Sequence, residues 1–299
     1  MLNLLYKGAF MNTITIDKEK CAQCGLCVSD CVSKCLEMNK DNYPYMQNEE
    51  ICLECQHCMM ICPTGALSFN DKKPEDSEKV STKDILSLIK SRRSIRQYKD
   101  EELTEDELQT IKDMLPYIPT GCNSHKLHFS FVEKKSVMRK LKEKVNTRFV
   151  KLLNNKILSP LVKHFEVYKD AFEKGEDIVF RNAPHMIVVS SPVSAPCAPQ
   201  DPVIALSYIE LYARSLGYGT CWCGYAEICI KLFPEFCEFL EIPKGYTPVY
   251  AMLLGKPAVK YLRVPQPEPY SISEIKDALP KDSCIWCKTK RLITNFLRG

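Results

Sequence analysis

The chain has 299 residues, 45% of them apolar, and a formal net charge of +4. That length suits two domains with a sizeable core. The small charge, with no basic cluster interleaved with aromatics, argues against a nucleic-acid partner, and no apolar run approaches the roughly 20 residues that span a bilayer.

The opening stretch MLNLLYKGAF is too short and too broken by polar residues to read as a secretory signal. A second methionine, Met11, follows at once, so residues 1–10 offer an alternative start. The expectation is a cytoplasmic protein. In a reducing compartment, 17 cysteines point to metal ligands and buried thiols before disulfides. Charge is uneven along the chain: residues 1–70 carry five lysines against eight acidic side chains, and the remainder is mildly basic.

Cys21, Cys24, Cys27 and Cys31 follow C-x2-C-x2-C-x3-C, and Cys52, Cys55, Cys58 and Cys62 repeat that spacing, with Pro63 closing the second run. Zinc takes four ligands from two CxxC pairs and has no use for eight thiols at this spacing. A four-iron cubane needs four thiolates converging from different directions, three of which a tight x2 loop can supply. The double run resembles bacterial two-cluster ferredoxins. The resemblance implies crossed ligand sets: Cys21, Cys24, Cys27 and Cys62 on one [4Fe-4S] cluster, and Cys52, Cys55, Cys58 and Cys31 on the other. Two positions depart from the pattern. Val32 stands where a proline usually follows the fourth cysteine, and Cys35 stands where the second run has Ala66. Cys35 reads first as a small buried hydrophobe and second as a spare ligand. Gly25 is expected to let backbone N–H groups approach the sulfurs, and His57, inside a cluster loop, is a surface polar residue or a tuner of the potential.

The composition changes after Phe69. NDKKPEDSEKVSTK is almost wholly charged or polar, so residues 71–83 read as a linker. That divides the chain into a module at 1–70, a larger domain at 84–275 and a basic tail at 276–299. In the larger domain, DILSLIKSRR predicts a helix capped by Ser81 or Thr82. Thr104 and Glu107 have capping-box spacing, before Leu108, Ile111 and Leu115 on one face and a stop at Pro116. LHFSF alternates as a strand with Leu127, Phe129 and Phe131 buried. Val137, Leu141, Val145, Phe149 and Leu152 predict a long amphipathic helix. MIVVS and TPVYAMLLG predict central strands. Asp201 and Pro202 suit N-cap and N1 of a helix burying Val203, Leu206, Ile209, Ala213 and Leu216, closed by Gly217. The expectation is an α+β domain.

Four stretches of that domain resemble the nitroreductase family of FMN-dependent oxidoreductases. SRRSIRQY looks like the family's phosphate motif through Arg92, Arg93, Ser94 and Arg96, whose guanidinium forks and hydroxyl suit a phosphate. PTGCN matches P-[ST]-x-x-N at Pro119, Thr120, Gly121 and Asn123, a segment that the resemblance places over the flavin of the neighbouring subunit. The chain then reads Ser124, His125, Lys126 and Leu127 where the family often has Gln-Pro-Trp. LGYGTCWCGYAEI is similar to LGLGT-x-W-x-G, which implies Cys223 and Gly224 beside flavin N5, with glycine there to avoid the ring. LLGKPAVKYLRVP resembles the G-x-P segment, with Arg263, then Lys260, returning to the phosphate. The resemblance implies a nitroreductase-like flavin domain joined to a small ferredoxin-like one, FMN plus two [4Fe-4S] clusters, and a homodimer whose flavin sites are lined by both chains.

His125 is the candidate proton donor. Cys221 and Cys223 flank Trp222 beside the expected flavin site and read as buried free thiols before a redox pair. Cys122, Cys197, Cys229 and Cys237 read as packing. Cys284 and Cys287 form a single CxxC with no second pair at metal spacing. The functional expectation is an enzyme that takes electrons from a soluble donor, ferredoxin or NAD(P)H, and reduces a small electrophilic acceptor such as a nitroaromatic, quinone or activated alkene. The alternative is a carrier that passes electrons between proteins with no small substrate. No G-x-G-x-x-G fingerprint is present.

Overall fold

The structure, a computed structural model, describes residues 13–275; the Cys284/Cys287 pair and the basic tail lie outside the described residues. Described residues up to Arg263 form one compact unit. Those from Val264 on belong to a second, without helix or strand among the described residues. No helix among the described residues is long and apolar enough to cross a membrane.

The cysteine-rich module is an internal repeat. Its elements are β1 (Ile14–Ile16), α1 (Leu26–Ser29), β2 (Leu36–Met38), β3 (Pro44–Met46), α2 (His57–Met60) and β4 (Leu67–Phe69). β1 pairs antiparallel with β4, and β2 with β3. Leu67 and Phe69 fill a small core with Cys27 and Met59. The two cysteine runs follow one backbone path. Gln23 and Glu54 share a left-handed conformation (φ 56° and 55°), as do Gly25 and Gln56 (70° and 59°) and Lys34 and Gly65 (54° and 62°). Turns of this kind gather successive N–H groups on one side. Gly25 meets a left-handed backbone angle, and a Cβ there would meet no protein atom within 4 Å; Gln56 takes the same conformation with a full side chain.

Residues 75–80 are exposed and irregular. The larger domain follows with α3 (Thr82–Ser91), α4 (Glu105–Asp113), β5 (His128–Val132), α5 (Lys135–Asn154), α6 (Lys169–Glu173), β6 (His185–Pro192), α7 (Asp201–Ser215), β7 (Gly219–Trp222), α8 (Gly224–Leu232), α9 (Glu235–Phe239) and β8 (Tyr246–Gly255). The strands form one antiparallel sheet in the order β5-β6-β8-β7. The all-apolar stretches are its two middle strands, because residues covered on both faces have no polar side to show. Successive side chains go to opposite faces. Met186, Val188, Ala251 and Leu253 pack with α5 and α8 around Phe149, Phe165 and Phe236. Ile187, Val189, Met252 and Leu254 pack with α4 and α7 around Leu108, Leu206 and Ile209. The architecture is α+β.

Several local expectations shift. β5 buries Ser130 and Val132 most deeply, while Phe129 and Phe131 stay half-exposed, because the Ser130 hydroxyl donates to the Leu240 carbonyl at 2.6 Å and the "polar" face is itself covered. α4 ends at Asp113, two residues before the expected Leu115, and a short 3-10 turn takes Leu115–Tyr117 past the proline. Val203 and Leu216 are exposed at 40% and 37%.

Candidate functional site

Two cavities in the cysteine-rich module bring the thiols together. One is lined by Cys21, Cys24, Cys27 and Cys62; the other is lined by Cys31, Cys52, Cys55 and Cys58, with Cys35 as a fifth. Each cavity thus draws three thiols from one run and one from the other. The two hairpin-like pairings account for this: β1–β4 sets the end of the second run beside the start of the first, and β2–β3 sets the end of the first run beside the start of the second. Backbone N–H groups point at sulfur: Glu54 N–H donates to Cys52 Sγ at 3.4 Å and Ala66 N–H to Cys62 Sγ at 3.3 Å. Among the described residues no group of three or more Cys, His, Asp or Glu closes on one point as a single-ion site. Four sulfurs around a cavity, with amide donors behind them, fit a polynuclear iron–sulfur group. His57 Nδ1 lies 3.2 Å from the Cys55 carbonyl on the rim of the second cavity.

The segment Pro119–His125 is held in an uncommon backbone conformation. Cys122, Asn123 and His125 all have positive φ (53°, 51° and 47°), which costs free energy and persists only where surroundings enforce it. Two anchors do so. The buried Asp201 carboxylate accepts the Gly121 N–H at 3.0 Å, and Thr120 Oγ1 accepts the His125 N–H at 3.0 Å. Asp201 therefore holds this loop as the first residue of α7, with Gln200 in the cap position expected for Asp201. Gly121 is required by packing, since a Cβ would stand 2.6 Å from Cys197 Sγ. Asn123 faces both ways: Nδ2 donates to the Leu53 carbonyl at 3.0 Å, and Oδ1 lies 3.0 Å from His125 Nε2. Cys122, expected to pack, is exposed because its left-handed backbone turns the side chain out.

The phosphate-type stretch runs beside β7 and the end of β8. Ser94 bridges Thr220, Ile95 N–H donates to the Thr220 carbonyl, and Ala258 N–H donates to the Gln97 carbonyl. Arg92 is committed elsewhere: its Nη1 donates to Glu210 Oε1 at 2.9 Å, and Glu210 Oε2 accepts the Trp222 indole N–H at 3.0 Å. Arg93 and Ser94 are half-exposed; Arg96, Lys260 and Arg263 are exposed. Burial pushes the Cys221 thiol up, while the guanidiniums of Arg96 and Arg181 pull against it. Burial pushes the Cys223 thiol up to about 12. Cys223 also caps α8 through Ala226 N–H, donates from Sγ to the Val179 carbonyl, and gives its own N–H to Ala251. Both sulfurs are thus packed thiols, and the group open to a ligand is the first turn of α8 at Gly224 and Tyr225. A Cβ at Gly224 would meet only the Tyr250 hydroxyl, at 3.1 Å.

The site residues therefore fall into two groups. Residues 92–98, 219–224 and 256–258 run side by side, and 119–125 sits with Asp201 and Leu53. No hydrogen bond or ion pair among the described residues joins the two groups. Glu210, Asp201 and Leu53 were not legible as partners, because each acts through a contact distant in sequence. The Tyr98 and Ser124 hydroxyls are buried without hydrogen-bond partners among the described residues.

Comparison with known proteins matches residues 89–256 to the model of the nitroreductase family. A relative named as an NADH dehydrogenase/NAD(P)H nitroreductase in Methanothermobacter thermautotrophicus is 28% identical over 184 residues, covering 60% of this chain and 81% of its own length. An uncharacterized ferredoxin of Methanocaldococcus jannaschii is 33% identical over 72 residues, 23% of this chain and 94% of that one. Among solved structures, a nitroreductase with bound FMN from Desulfitobacterium hafniense superposes with a TM-score of 0.51 at 25% identity, over 64% of this chain and 98% of the other.

Proposed function

The chain belongs to the nitroreductase family and is an FMN-dependent oxidoreductase, and we propose that it draws its electrons through its own ferredoxin-like module and delivers them to a small electrophilic acceptor. The eight cysteines of the two runs would hold two [4Fe-4S] clusters in the two cavities. When bound, the clusters supply single-electron transfer and FMN the pairing of electrons for a nitroaromatic, quinone or activated alkene. The observation that carries the reading is the hydrogen bond from Asn123 to the Leu53 carbonyl: a residue of the flavin-type loop touches the loop between Cys52 and Cys55.

The protein's part is to bind and orient. Arg93, Ser94, Arg96 and the first turn of α8 offer guanidinium, hydroxyl and amide donors to a phosphate and a flavin edge. Lys260 and Arg263 follow the stretch that Ala258 pins beside Gln97. His125, whose N–H is held by Thr120 and whose ring lies beside Asn123 Oδ1, would hand a proton to the acceptor. Pro119, Thr120, Gly121 and Asn123 stand apart from the phosphate group of residues, which supports a site completed by a second copy. The apolar face of α3 supports the same homodimer: Ile85, Leu86 and Ile89 are exposed at 47%, 49% and 51%, and the helix buries no residue.

The test is anaerobic mixing of the purified protein with reduced ferredoxin or with NAD(P)H while flavin absorbance is followed. Ferredoxin should bleach the flavin in the wild-type chain and fail in a Cys52→Ser/Cys55→Ser variant. Bleaching by nicotinamide alone, unchanged in that variant, would defeat the reading. Iron and FMN analysis should find about eight irons and one flavin per chain.

A further inference from the structure

The second cavity carries more thiols than one cluster uses. Five cysteines line it, whereas four line the first. The surplus residue is Cys35, which stands four residues after Cys31 where the other repeat has Ala66 four residues after Cys62. The backbones match on both sides of this position: Lys34 and Gly65 are left-handed, and Leu36 and Leu67 open strands. The Cys35 carbonyl accepts the N–H groups of Gln47 and Asn48, so the residue is fixed in place. It is 3% exposed, and its Sγ lies 3.3 Å from Cys31 Sγ. Ala66 shows that a methyl group satisfies the packing at this point of the repeat. A thiol there adds something a methyl group cannot, which is a ligand.

We propose that Cys35 is a reserve ligand of the second cavity, able to take the coordination position of Cys31. The inference rests on reading the two cavities as iron–sulfur sites. The exchange is thiolate for thiolate: an iron–sulfur bond to Cys31 is replaced by one to Cys35, the Cys35 thiol proton leaves, and the freed Cys31 sulfur takes one up. No electron is gained or lost.

The repeat supplies its own control, because Cys62 is the counterpart of Cys31 and has only Ala66 beside it. The full chain is purified anaerobically, and iron, acid-labile sulfide and the electron paramagnetic resonance of the reduced protein are measured. Cys31→Ala should keep the wild-type iron content. Cys62→Ala should fall to about half, as should Cys31→Ala/Cys35→Ala. Adding Ala66→Cys to Cys62→Ala should restore the loss. Cys31→Ala falling as far as Cys62→Ala would overturn the inference while leaving the cluster reading intact. A wild-type chain without iron and sulfide would overturn the cluster reading and this inference with it. If alanine at position 31 prevents folding, judged by circular dichroism, Cys31→Ser is compared with Cys31→Ser/Cys35→Ala. More iron in the single variant supports the reserve ligand, and equal iron overturns it.

Discussion

Asn123 Nδ2 donates to the carbonyl of Leu53 across 3.0 Å. The bond joins the loop before β5 to the second cysteine run, 70 positions earlier in the chain. Its partner atoms are unlike in kind: a side chain whose backbone is held left-handed, and a main-chain carbonyl lying between Cys52 and Cys55, both of which line the second cavity. The contact therefore depends on the strained loop keeping its shape.

Asn123→Asp removes the donor and sets a carboxylate against a carbonyl. Losing a hydrogen bond of about 1 kcal/mol weakens the contact by about fivefold. Flavin reduction by ferredoxin should slow by at least that factor relative to reduction by NAD(P)H, read by stopped-flow absorbance. Equal slowing with both donors would place the effect at the flavin and not at the module.

The Arg92–Glu210 ion pair reaches the buried side of α7, with Glu210's side chain 7% exposed and that of Arg92 34%. Arg92→Ala leaves the carboxylate with only the Trp222 N–H. Breaking a fully buried pair costs ~3–5 kcal/mol, and the exposed side of Arg92 lowers this to about 2 kcal/mol. The melting temperature should fall by about 4–8 °C. A variant that melts with the wild type would show that Glu210 is satisfied without the arginine.

The capping box of α4 is complete: Glu107 N–H donates to Thr104 Oγ1 at 3.2 Å, and Thr104 N–H donates to Glu107 Oε2 at 2.7 Å. The Thr104 amide, with Lys256 nearby, holds the Glu107 carboxyl below its ordinary value. A depressed carboxylate pKa stabilises the fold above the unfolded value and loses that contribution as pH falls through the folded value. Melting curves from pH 7 down to pH 3 should therefore show a shallower acid loss for Glu107→Gln than for wild type. Thr104→Ala should cost about 1 kcal/mol at neutral pH.

Gly121→Ala would drive a Cβ to 2.6 Å from Cys197 Sγ and 2.8 Å from its Cβ. Overpacking of this size costs ~1–3 kcal/mol, and the loop carries Asn123 with it. Flavin content and ferredoxin-driven activity should both drop, and Gly121→Ala/Cys197→Gly should recover them. Failure of the double variant to recover would mean that the Asp201 anchor, and not the sulfur contact, limits the loop.

The double cysteine run, the capping box at Thr104 and the all-apolar strands were legible because each is a local pattern. Spacing alone declares a ligand run, a reciprocal cap needs four residues, and a strand covered on both faces shows it in composition. β7 escaped detection, since four residues after a glycine turn carry no period. Ser130 was misjudged because its partner, the Leu240 carbonyl, is 110 positions away.

What tertiary structure alone decided is which residues meet. It placed Arg92 against Glu210, gave Asp201 to the Gly121 amide, and set the Asn123 amide on the Leu53 carbonyl. None of these pairings follows a short-range rule. Chain order specifies the chemistry each residue can offer, but the neighbour that uses it is chosen by closing long loops around two cores, a choice made by packing over the whole domain.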